Sequence, residues 1–100
     1  MFYEKVRAVL GARALLDDND PMIKQKWIEL IELLSTDESL TLAFLNQCTK
    51  TEISFLSEVF EEVAYNLQSG KFIDLLYLLD KRYPDLDLNS HIQIAESYMV

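Results

Sequence analysis

The chain has 100 residues, half of them apolar and 26% charged, with two glycines, two prolines and one cysteine. That is one domain's length, too apolar for disorder and too poor in glycine for the many turns of an all-β chain. Nine basic against seventeen acidic residues leave a net charge of −8, which argues against a nucleic-acid module, since such proteins need Lys and Arg to displace counterions from phosphate.

Helical periodicity punctuated by capping residues dominates the chain. In the first helix Phe2, Val6, Val9, Leu10 and Leu16 share a face. Gly11 weakens this helix by about 1 kcal/mol relative to alanine and marks a point where it can break. Arg13 falls on the apolar stripe. It reads either as a long side chain snorkelling past a helix end or as the partner of a buried carboxylate, and the first is preferred.

Asp17-Asp18-Asn19-Asp20-Pro21 reads as a turn and a helix start, with Asp20 as N-cap and Pro21 at the first helical position. A calcium loop counted from Asp18 fails, because Met22 and Ile23 stand where an EF-hand needs an oxygen ligand and a glycine. The second helix, about 21–34, places Ile23, Trp27, Leu30, Ile31 and Leu34 on one face, with Trp27 as a core anchor. Ser35-Thr36-Asp37 starts a short third helix that aligns Leu40, Phe44 and Cys48.

Thr49-Lys50-Thr51-Glu52 fits a capping box that opens the longest helix, about 50–68, with Gly70 expected in the left-handed position after its end. The fifth helix, about 71–82, is apolar over much of its circumference and is expected at the centre. Pro84 stops it. Asn89 or Ser90 caps the last helix, whose inner side carries Ile92, Ala95 and Met99, with His91 as a packed imidazole on the flank. The fold expected is therefore an all-α, single-domain bundle of five to six short helices spanning residues 1–100.

The special residues exclude most chemistry. One cysteine permits no internal disulfide and fits a reducing cytoplasm, and Cys48 with His91 falls short of a structural zinc site. The N-terminal stretch is too short and polar for a signal peptide, and no run approaches eighteen apolar residues. Two glycines make no phosphate loop, and the sole histidine has no serine motif around it. No enzyme, metal, cofactor, membrane or nucleic-acid role is expected. Glu38-Ser39-Leu40 resembles the Asp-Ser-Leu motif of acyl carrier proteins, which leaves a carrier modified on Ser39 as an alternative from another class.

The charge is unevenly placed. Residues 1–50 carry a net −2 and residues 51–100 a net −6, and no basic residue lies between Thr51 and Gly70. On a 100° wheel, residues 50–68 turn Ile53, Leu56, Phe60, Val63, Ala64 and Leu67 one way and Ser54, Glu58, Glu61, Glu62 and Tyr65 the other. Phe55 lies on the flank of that second face. Glu58 and Glu62 form a like-charge pair four residues apart, where a solvated face usually alternates signs. Asp85 and Asp87, with Tyr83 beside them, extend the acidic theme in an exposed loop tied down by Leu86 and Leu88. Two readings stand: a solubilising face, or an anionic patch that meets a basic partner with Tyr65 as anchor.

The stretch from Leu56-Ser57-Glu58-Val59-Phe60-Glu61-Glu62-Val63 to Leu79-Asp80-Lys81-Arg82-Tyr83-Pro84-Asp85-Leu86 resembles small helical immunity proteins of bacterial contact-dependent growth inhibition and related polymorphic-toxin systems. The resemblance covers the C-terminal half and carries no functional residues over by position. It implies a cytoplasmic inhibitor that neutralises a cognate toxin, often a basic nuclease domain, by covering its active site. The partner contacts expected on this reading are Glu58, Glu61, Glu62, Tyr65, Asp85 and Asp87. A small regulatory interaction module is the remaining alternative.

Overall fold

A computed structural model describes residues 1–100. Seven α-helices follow one another: α1 (Phe2–Ala14), α2 (Ile23–Leu34), α3 (Glu38–Asn46), α4 (Lys50–Leu56), α5 (Phe60–Leu67), α6 (Gly70–Arg82) and α7 (Asn89–Ser97). Short 3-10 turns occupy Ser57–Val59 and Pro84–Leu86, and there is no strand. The all-α expectation holds. Every helix contributes to one apolar core, from Val6 and Leu10 of α1 through Phe44, Phe60 and Phe72 to Ile92 and Ala95 of α7. The radius of gyration of 12.6 Å is that of one domain this long, about 13 Å. No helix is long and apolar enough to cross a membrane.

Helix α1 runs unbroken through Gly11, because Val6 and Leu10 before it and Arg13 after it are all anchored inside. A Cβ built on Gly11 would meet nothing within 4 Å, and the residue is exposed. Gly11→Ala is therefore expected to stabilise the fold by about 0.5–1 kcal/mol, through the lower backbone entropy of the unfolded chain. A thermal melt followed by circular dichroism should show a rise of about 3–5 °C, and a fall would mean that the methyl group collides.

The capping residues act largely where the sequence placed them. Asp20 is not the N-cap of α2, nor Pro21 its first residue: Asp20 Oδ1 accepts from Met22 N at 2.8 Å within a turn, and the helix begins at Ile23 after Met22. Asp37 caps α3 through Leu40 N at 3.0 Å. The capping box of α4 is complete: Thr49 Oγ1 accepts from Glu52 N at 3.2 Å, and Glu52 Oε1 from Thr49 N at 2.8 Å. Of the third-helix stripe, Phe44 and Cys48 are buried and Leu40 is exposed.

Four further expectations about helix bounds, caps and burial need correction. The helix over 50–68 is interrupted by the 3-10 turn at Ser57–Val59, where Val59 takes φ −119°. Ser57 is buried and its hydroxyl donates to the Ser54 carbonyl at 2.6 Å, a back-bond of the kind that bends helices. Gly70 is not the left-handed residue; it is the first residue of α6, because Ser69 caps that helix by accepting from Phe72 N at 3.0 Å. Gln68 takes the left-handed position instead, at φ 47°. Helix α6 is not enclosed: Phe72, Ile73, Leu75, Leu76 and Leu79 are buried, but Leu78 faces solvent. Neither Asn89 nor Ser90 caps α7 with its side chain, and Asn89 Oδ1 accepts from Gln93 instead.

A candidate protein-binding surface

The break after Leu56 changes what the acidic residues can do, and Glu58 shows it most clearly. A continuous wheel points this carboxylate at solvent. The tighter 3-10 turn rotates it inward, towards α1 and α2, where Arg13 Nε and Nη2 donate to its two oxygens at 2.8 and 2.6 Å. Trp27 Nε1 donates to the same carboxylate at 2.9 Å. The Arg13 side chain is 4% exposed and lies over Phe55, 5.0 Å from the ring centroid. Arg13 is thus the partner of a part-buried carboxylate and does not snorkel. Trp27 is half-buried against the core, as an anchor, and its indole N–H is also used.

Burial alone would push the Glu58 carboxyl up. The hydrogen bonds from Arg13 and Trp27 and the nearby guanidinium charge outweigh it and hold the carboxyl below the usual Glu range. The network joins α1, α2 and the break, so Glu58 is committed to the fold. No buried side-chain nitrogen or oxygen lacks a partner.

Beyond the break, α5 and α7 lie side by side and run in the same direction. Glu61 accepts from His91 Nδ1 at 3.0 Å, Tyr65 meets Tyr98 edge-on at 6.3 Å, and Gln68 Oε1 accepts from Val100 N at 2.9 Å. The Gln68 side chain also donates to the Tyr65 and Tyr98 carbonyls, both at 2.9 Å. These three bonds offset the roughly 1 kcal/mol cost of its left-handed backbone. His91 is only partly covered and works as a tie between helices, which corrects its reading as a packed imidazole.

The surface so formed has a distinct chemistry. Tyr65, Ile94 and Tyr98 are 61%, 46% and 44% exposed, and Glu62 is exposed beside them. Neither α5 nor α7 contains a lysine or arginine, and the stretches 51–70 and 83–100 contain none either. In the second half of the chain every such residue, Lys71, Lys81 and Arg82, sits on α6. Apolar anchors and carboxylates therefore share a face without fixed positive charge.

The other expected contacts lie elsewhere. Asp85 pairs with Lys50 at the start of α4, at the far end of the 50–67 stretch from Tyr65, and that hydrogen bond holds its carboxyl below the usual range. Asp87 is exposed and left-handed, at φ 53°. Leu88 is buried and Leu86 half-buried, so the loop is tied to the core as its sequence suggests. Of the six expected contacts, the structure brings together Glu61, Glu62 and Tyr65. Sequence reasoning missed Tyr98 and Ile94 as their neighbours, although both flank the inner stripe of the last helix.

Ser39 is exposed in the first turn of α3. Cys48 is buried, and burial pushes its thiol up to about 12, with Glu52 adding to the rise, so reactive thiolate is scarce at neutral pH. No group of three or more His, Cys, Asp or Glu side chains converges as a metal site would require. Compared with known protein families, curated proteins and solved structures, the chain matches none.

Proposed function

We propose that the protein is a protein-binding inhibitor, an immunity protein of the contact-dependent growth-inhibition type, acting in the cytoplasm on a basic toxin domain. The observation that carries this reading is the α5/α7 face, where the exposed Tyr65–Tyr98 pair stands beside Glu61 and Glu62 with no lysine or arginine on either helix. Exposed tyrosines supply large contact area at low entropic cost and are enriched among residues that dominate binding energy. Carboxylates around them steer a basic partner and imitate the phosphates that a nuclease would hold. Such an inhibitor blocks its target by occupancy and needs no chemistry of its own.

This reading requires a toxin domain to be encoded beside the protein's gene; with that domain purified, neutralisation is measured first and binding kinetics second. Tyr65→Ala is expected to weaken binding by about 30-fold or more, mostly through faster dissociation. Glu62→Lys should slow association and reduce its salt dependence, with little effect on folding. Unchanged affinity in both variants would remove this face from the interface. Failure of the wild-type protein to neutralise the toxin would sink the function itself.

A further inference from the structure

A second surface lies on the opposite half of the chain. Helices α1 and α2 pack closely and are joined by a short connection, as antiparallel hairpin helices are. An open groove of about 580 Å³ runs between them, with Lys5, Ala8 and Val9 on the α1 wall and Glu29, Glu32 and Leu33 on the α2 wall. Val9 and Leu33 are half-buried and form an apolar floor. Lys5 and Glu32 take part in no ion pair, so the two walls present uncompensated charges of opposite sign.

An acidic partner would be repelled by the α2 wall, and a basic one by Lys5. A second copy of this chain avoids both conflicts. A two-fold axis parallel to the groove sets Lys5 of each copy over Glu32 of the other, because such a rotation exchanges the two walls at the same height. It also leaves each helix antiparallel to its neighbours, which is the arrangement of an up-down four-helix bundle. Residues 1–50 carry only −2 of the total −8, so this is the side on which two copies meet with least repulsion. We propose that the protein forms a two-fold dimer through the α1/α2 groove. The groove shares no residue with the α5/α7 face, and the dimer presents two such faces.

Sedimentation equilibrium of the purified chain, from micromolar to millimolar concentration, tests this directly. The wild-type protein is expected to associate to a dimer. Lys5→Glu and Glu32→Lys should each weaken it by about 10-fold or more, since each sets like charges against one another. The Lys5→Glu/Glu32→Lys double exchange should restore it. Both side chains are exposed, so circular dichroism should show all three variants folded. A wild-type monomer at every concentration overturns the proposal and assigns the groove to a different occupant. A dimer that ignores the single reversals, or one that the double exchange fails to restore, overturns it equally.

Discussion

Replacing Glu58 with alanine is expected to lower folding stability by about 3 kcal/mol, read from urea unfolding at neutral pH. The truncation leaves the Arg13 guanidinium inside the protein with the 3.4 Å contact to the exposed Asp18 as its one ion pair. Trp27 loses its only acceptor as well. The figure sits at the low end of the roughly 3–5 kcal/mol typical of a broken buried pair, because the Glu58 side chain is 27% exposed and admits water to the gap. Arg13→Met should cost a comparable amount by stranding the carboxylate. The Arg13→Met/Glu58→Met double variant should recover part of the loss, since apolar residues of similar length need no partner, while the Trp27 indole N–H stays without its acceptor. A coupling near zero in that cycle would show that the pair is not an energetic unit.

The same network makes the protein sensitive to acid. Glu58 ionises below the ordinary range in the folded state, whereas the unfolded chain titrates near the free value of about 4.3. In acid the unfolded chain therefore binds more protons. The stabilisation is complete above that pH and is lost as pH falls through the lower folded value. Glu52 contributes in the same direction: burial opposes its ionisation, but the Thr49 backbone N–H and Arg7 hold its carboxyl low. Glu58→Gln should flatten the acid limb of the stability curve, and an equally steep limb would locate the sensitivity elsewhere.

Helix content was legible because it rests on local signals. Asp37 and the Thr49–Glu52 box are each written within a few residues, and the structure uses them as read; the apolar spacing of the first two helices is used in part, since Leu16 lies beyond the end of α1 and α2 begins at Ile23. The candidate surface was half legible, since its composition is local but its assembly is not. The break at Ser57–Val59 carries no proline or glycine to announce it. The strongest hints were a serine on the apolar side and an arginine on the apolar stripe of the first helix. Arg13 and Glu58 are 45 residues apart, so the sequence alone reads Arg13 as an isolated anomaly and Glu58 as one carboxylate of an acidic face. The left-handed Gln68 was hidden in another way. Gly70 reads as the terminator, but Ser69 before it caps α6 by accepting from Phe72 N, and the left-handed residue falls at Gln68 instead.

Phe60→Ala is expected to cost about 4 kcal/mol and to loosen the surface on which the functional reading depends. Phe60 begins α5 immediately after the break, is fully buried, and meets Phe72 of α6 edge-on at 6.3 Å. Removing the ring forfeits its transfer energy and leaves a cavity that its neighbours only partly refill, roughly 3–5 kcal/mol together. The edge-to-face contact with Phe72 contributes about 1 kcal/mol of that. Phe60→Leu keeps most of the apolar volume and should cost no more than about 1.5 kcal/mol. A domain of this size has only about 5–15 kcal/mol in total, so the alanine variant should unfold at a clearly lower urea concentration while the leucine variant stays near the wild-type midpoint. Hydrogen exchange should show where the stability went, with the amides of α5 and α7 opening first. Phe60 helps seat α5 against α6 together with Val63 and Ala64, and α5 carries Glu61, Glu62 and Tyr65. The leucine variant should therefore bind its partner more weakly although every contact residue is intact, because the spacing between Tyr65 and Tyr98 depends on how α5 is seated. Wild-type affinity in that variant would mean that the binding surface does not depend on the packing beneath it.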